Sequence, residues 1–127
     1  MAVKYHNPPS VKLVGNYSHG AELAPGMRTL YLAGQVGVDS KGKLQSGIEK
    51  QCEQAWKNIA AILRSAAMDY SNIVKLTTFL TDPRFILPNR AVREKLLKPP
   101  YPASTLLIVN GLADPHMLVE IELVAAK

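Results

Sequence analysis

The chain has little with which to build redox or metal chemistry. Its one cysteine, Cys52, permits no internal disulfide and cannot alone hold a cluster. Its three histidines, His6, His19 and His116, lie far apart, and none has a His-x-x-x-His or Cys-x-x-Cys companion; no metal is expected. No apolar run comes near the ~18 residues of a membrane helix. The opening MAVKYHNPPSVKLVG has no continuous apolar core of signal-peptide length. The expectation is a soluble, cytoplasmic protein with no membrane partner. A Gly-x-Ser-x-Gly elbow, a P-loop and a dinucleotide fingerprint are also missing.

What is present fits one domain. The 127 residues, 47% of them hydrophobic, suffice for a single unit over residues 1–127 that buries roughly two-thirds of its unfolded surface. The formal net charge of +5 raises the question of an acidic partner. Arg84, Arg90, Arg93, Lys95 and Lys98 fall in one short segment with a single acid, Glu94. That reads as a solvated helix face on which Arg90 and Glu94 pair across one turn. Single-stranded nucleic acid wants aromatic platforms among the cations, and only Phe85 and Tyr101 are near; nucleic acid is not the expected partner.

Along the chain, residues 1–26 read as brief strands and loops around Pro8, Pro9, Gly15, Gly20 and Pro25-Gly26. MRTLYLAG, 27–34, reads as a largely buried strand, followed by turn residues Asp39 to Gly42. Ser46-Gly47-Ile48-Glu49 matches a capping box. After it, Ile48, Cys52, Ala55, Ile59, Ile62, Leu63 and Ala66 form one apolar stripe at helical spacing. NIVKLTTFLT, 72–81, is dense in strand formers. Asp82-Pro83 offers a cap and a first-turn proline, and a second helix is expected to restart at Pro88 and reach about Leu97. STLLIVN and MLVEIELVA then read as an antiparallel pair. Helices interspersed among partly hairpin-linked strands indicate an α+β layer, two helices on one face of a mixed sheet.

Two clusters could carry chemistry. Alternation puts Met117, Val119, Ile121 and Leu123 on one face of the last strand and Leu118, Glu120, Glu122 and Val124 on the other. The two glutamates are either solvent-facing surface or a carboxylate in a cleft, where partial burial would raise its pKa for general-base work. Asn16-Tyr17-Ser18-His19-Gly20 brings a phenol, a hydroxyl and an imidazole together. Composition and spacing name no reaction.

Taken together, these pieces resemble the Rid family, also called YjgF-like. Gly15-Asn16-Tyr17-Ser18 is similar to the family's Gly-Pro-Tyr-Ser, and Ala33-Gly34-Gln35-Val36 to its Ser-Gly-Gln-Ile. Thr77-Thr78-Phe79-Leu80-Thr81-Asp82 matches a strand end, and Phe85 with Asn89 a Phe and Asn pair. Pro102-Ala103 and Val119-Glu120-Ile121-Glu122 match the opening of the penultimate strand and the terminal Ile-Glu-Ile-Glu. The resemblance implies a chorismate-mutase-like fold, a homotrimer with inter-subunit clefts, and hydrolysis of small enamines or imines to keto acid and ammonia without a cofactor. It further implies Glu120 as the group that holds and activates water and Tyr17 as a phenol in the cleft. Asn89, Phe85, Ala33 and Gly34 would line the pocket, with the backbone near Thr105 and Leu106 on the water or product amine.

Three positions depart from the family pattern. Deaminating members have Pro-Ala-Arg-Ser where this chain has Pro102-Ala103-Ser104-Thr105, so Ser104 stands where an arginine grips the substrate carboxylate. A serine cannot reproduce that bidentate, charge-assisted grip, which makes a free 2-imino acid a poor expected substrate. Ala33 replaces a serine, and His19 replaces a glutamine as a possible new acid, base or anion ligand. The leading expectation is a Rid-like hydrolase or deaminase of altered substrate range. The alternatives are a non-catalytic metabolite-binding trimer and, less favoured, an endoribonuclease.

Overall fold

The computed structural model describes residues 2–127. Two short strands, β1 (Lys4–His6) and β2 (Gly20–Glu22), pair antiparallel as a separate ribbon. The main sheet holds β3 (Thr29–Gln35), β4 (Ile73–Leu80), β5 (Ala103–Ile108) and β6 (Val119–Ala126), in the order β3-β6-β4-β5. The contacts of β6 with β3 and β4 are antiparallel and β4 with β5 is parallel, so the sheet is mixed. Helices α1 (Ile48–Ser65) and α2 (Ile86–Leu96) complete the α+β fold.

Periodicity explains α1. Cys52, Ala55, Trp56, Ile59 and Leu63 are all buried along it, the apolar stripe that packs on β3, β6 and α2. They meet Leu76 and Leu80 of β4 and Val119, Ile121 and Leu123 of β6 in one core, joined by Val92 of α2. The alternation expected for β6 holds, with Val119, Ile121 and Leu123 buried, Glu120 half-buried and Glu122 exposed. Among the described residues no helix is long and apolar enough to cross a membrane.

Four local expectations are corrected. No capping box starts α1: the N-cap is Gly47, at φ 85, a left-handed conformation that glycine adopts at least cost, and no side chain caps the helix. The final two strands are not partners, because β4 lies between them and bonds to both. The second helix begins two residues before Pro88 rather than at it. Asp82 caps a 3-10 turn over Pro83–Phe85 that leads straight into α2, and a proline within the first turn removes an amide that has no intrahelical acceptor. Arg90 and Glu94 form no ion pair; the ion pair of that segment joins Arg84 to Asp82, at 2.7 Å.

One buried side chain has no apolar reason to be there. Gln51 lies on the α1 stripe, and its amide nitrogen donates to the carbonyls of Gln45 and His116, both at 3.0 Å. Its carbonyl accepts from the Leu118 amide at 2.8 Å. The side chain thereby satisfies the backbone of two loops that would otherwise bury unpaired groups.

Candidate active site

The cavity that gathers three of the expected residues, Tyr17, Asn89 and Ser104, lies between α2, β5 and the loop before β2. It has a volume of about 410 Å³ and is lined by Asn16, Tyr17, Asn89, Arg90, Arg93 and Ser104, with Ile86, Leu106, Val14, Gly15 and Glu94 completing the wall. Three separate segments converge on it.

Local pairing explains that convergence. The proline-rich lead-in to β5 presents the carbonyls of Tyr101 and Pro102. The Ser18 hydroxyl donates to the first at 2.7 Å and the Ser18 amide to the second at 3.0 Å. Ser18 also forms an isolated parallel bridge with Ala103. In that parallel register Tyr17 falls level with Pro102, two positions before Ser104 and therefore on the same face, and both side chains line the cavity. The Tyr17 hydroxyl accepts from the Val14 amide at 3.5 Å, which closes the small loop.

Helix α2 supplies the third wall through Ile86, Asn89, Arg90 and Arg93, at the three- and four-residue spacing of one helical face. Asn89 is almost fully buried, and its carbonyl oxygen accepts from the Cys52 thiol at 3.7 Å. Burial, followed by the charges of Glu53 and Glu49, pushes that thiol up to about 12. Cys52 therefore stays protonated at neutral pH and is no nucleophile. Arg93 reaches across the cavity, one guanidinium nitrogen donating to the Ser104 hydroxyl at 2.9 Å and the other to the Asn16 carbonyl at 3.1 Å.

The other expected residues lie elsewhere. Sheet register puts Glu120 opposite Phe79 of β4, on the face away from the helices, whereas Ser104 pairs with Leu76 on the helix-covered face. Glu120 and Ser104 thus belong to opposite sides of one sheet. An extra residue in β3 between Leu32 and Gln35 makes a bulge at Ala33-Gly34. There a Cβ on Gly34 would fall on the Glu120 carboxylate. Glu120 and Gly34 therefore lie against each other on the uncovered face, with Ala33 next to them in the bulge.

Thr105 also faces the uncovered side, its hydroxyl accepting from the Lys75 ammonium at 2.6 Å. Phe85 is half-buried against the core. His19 packs edge-on against Tyr17, ring centres 5.5 Å apart and planes at 87°, and its buried Nε2 has no hydrogen-bond partner among the described residues. Sequence reasoning missed Arg93 and Asn16 as cavity residues. The signal for Arg93 was its position four residues after Asn89.

A family model described as Endoribonuclease L-PSP matches residues 9–127. A human 2-iminobutanoate/2-iminopropanoate deaminase is 36% identical over 102 residues, 79% of this chain and 74% of that protein. A RutC family protein of Aquifex aeolicus is 35% identical over 117 residues, 90% of each. Among solved structures, the Rid-family protein YyfB of Yersinia pestis superposes with a TM-score of 0.85 at 28% identity over the whole of both chains. RidA of an Antarctic Psychrobacter gives 0.74 at 32% identity over 90% of each.

Proposed function

Since the chain belongs to the Rid family, the YjgF-like proteins of the Endoribonuclease L-PSP model, we propose that it hydrolyses a small imine or enamine to a carbonyl compound and ammonia, without a cofactor. The observation that carries this reading is the meeting of Tyr17, Asn89 and Ser104 from three separate segments in one cavity. A relative of similar length is named as a deaminase of 2-imino acids.

The reaction asks little of the protein. Glu120 accepts a proton from water as the water oxygen bonds to the imine carbon, and passes that proton to the imine nitrogen, which becomes an amine. The resulting carbinolamine then collapses: its hydroxyl proton passes through Glu120 to the amine nitrogen, the C–N bond breaks, and a carbonyl compound and ammonia leave. Tyr17 and Asn89 hold the polar end of the substrate, and the rate gain comes mainly from orientation and a placed water. Ser104, in place of an arginine, alters which substrates fit.

Within one copy, Glu120 and Tyr17 occupy opposite sides of the sheet, so the proposed reaction needs a second copy. A neighbouring chain docked on the uncovered face, where Tyr31 is 77% exposed and Leu107 45% exposed, brings its cavity to Glu120 and Gly34. Three such contacts close a homotrimer with three equivalent clefts. The ribonuclease reading has less support: His6 sits on Glu22 and His116 beside Asp114, with no two histidines arranged as an acid and base about one phosphate.

The test uses 2-iminobutanoate and smaller imines generated enzymatically in the assay, with ammonia release followed against the spontaneous rate. The wild-type chain accelerates release. Glu120→Gln lowers that acceleration by on the order of a hundredfold or more while leaving the molecular mass and thermal midpoint unchanged. Unaltered acceleration in Glu120→Gln would sink the assignment of the base.

A further inference from the structure

The geometry points to Arg93 as the anion-holding residue of this cavity, supplying from helix α2 the cation that β5 lacks at position 104, so that the preferred ligand carries a carboxylate. The inference rests on the cavity being the substrate pocket, and it reverses the expectation drawn from Ser104 alone.

The contacts place the cation at the altered position itself, since Arg93 donates to the Ser104 hydroxyl and the Asn16 carbonyl. A short side chain at 104 leaves room for this reach; a long one on the same strand position would compete for the space. A guanidinium has five N–H donors, and these two bonds leave three for a ligand. Both protein acceptors are neutral, and among the described residues no carboxylate lies within ion-pair distance of Arg93.

The surroundings leave that charge under-compensated. Arg90, Arg93 and Glu94 are the charged residues of the cavity wall, two cations against one anion. Burial first, and the Arg90 charge second, disfavour the protonated form of Arg93, with Glu94 acting the other way. A partly desolvated cation of this kind gains most from an anion that enters the site. If Arg93 only tied helix to loop, a neutral amide would serve. A planar fork is what binds a carboxylate through two parallel hydrogen bonds. Because the fork comes from the helix rather than the strand, it grips the carboxylate from another wall, which changes the acceptable substrate shape without removing the need for charge.

The test is binding of 2-oxobutanoate, the stable 2-oxo acid that imine hydrolysis would yield, beside its uncharged amide, by isothermal titration and ligand-observed NMR. The wild-type protein is expected to bind the acid at least tenfold more tightly than the amide. Arg93→Gln keeps a donor for Ser104 but is expected to weaken acid binding at least tenfold and erase the preference; Arg93→Lys loses part of it. Acid binding within twofold of wild type in Arg93→Gln, a wild type with no preference for the acid, or a wild type that does not bind it would each overturn the inference. If Arg93→Gln does not fold, the wild-type preference and Arg93→Lys decide the matter. Glu120→Gln should keep the acid preference, so the two readings fail separately. Arg93-dependent binding without imine turnover would end the deaminase reading alone, and imine turnover with unchanged KM in Arg93→Gln would end this one alone.

Discussion

The two faces of the main sheet are built from alternate residues of the same strands, yet they differ in almost every respect. On one side Leu76, Leu80, Val119, Ile121 and Leu123 are sealed beneath helices. On the other, Thr77, Phe79, Glu120 and Glu122 follow the same register with no helix over them. Most positions of the sealed face need only apolar volume, with Thr78 and Ser104 as polar exceptions. The open face carries specific groups, a carboxylate set against a glycine and a threonine held by a lysine, that packing alone would not select.

Adjacent residues give the most forceful way to break that contrast. Leu76 is fully buried, and Leu76→Ala should lower stability by ~3 kcal/mol through lost contacts and the remaining cavity. Thr77→Ala, one position along and on the other face, should change it by less than ~0.5 kcal/mol in a dissociated chain. Denaturant unfolding at low and high protein concentration measures both. A Thr77 effect above ~1 kcal/mol that appears only at high concentration would mean that association covers the open face, as the trimer requires. A small effect for Leu76 would contradict the packing described here.

Gly34 sharpens the same contrast at a lower magnitude. The β3 bulge turns its α-carbon toward Glu120, leaving no space for a Cβ. In Gly34→Ala the carboxylate must shift, which is expected to cut imine turnover by about tenfold, ~1.4 kcal/mol in barrier terms. A shift of that kind alters catalysis more than folding, because the glutamate side chain has somewhere to go. Turnover equal to wild type, with the thermal midpoint also unchanged, would separate Glu120 from the reaction.

The contrast between faces also explains what the sequence could and could not tell. Period-two alternation in β6 and the three- and four-residue spacing of α1 report burial directly, so the covered face was legible. Strand order was not: the last two strands look like hairpin partners in sequence, while β4, from before the second helix, inserts between them. Ser46 and Glu49 matched a capping pattern, yet Gly47 takes the cap through its backbone freedom, which no side-chain pattern records. Gln51 broke the apolar stripe because three backbone groups from distant loops need its amide. Arg93 looked like one more solvated base in a basic helix. Its role depends on Ser104 and Asn16 lying across from it, a contact that arises only once Ser18 pairs with Ala103.

The smallest expected effect concerns neither face but the turn that connects them to α2. Asp82 accepts from the Arg84 amide at 2.8 Å and from the Arg84 guanidinium at 3.0 and 2.7 Å. Those bonds, the side-chain one first, hold its carboxyl down at about 2. A carboxylate with a depressed folded value contributes stability that is present above its unfolded value of roughly 4 and is lost as pH falls toward the folded one. The contribution of Asp82 should therefore fade between about pH 4 and pH 2; Asp39 and Asp69, whose carboxyls are also lowered by hydrogen bonds, lose stabilisation on acidification in the same direction. Asp82→Asn keeps an acceptor for the Arg84 amide but removes the charge. Because the pair lies at the surface, the thermal midpoint at pH 7 should move by no more than about 2 °C. The difference between variant and wild type should then shrink as pH is lowered through that window, measured by thermal scans in steps of pH. A difference that grows on acidification would reverse the sign and show that Asp82 is not stabilised in its charged form.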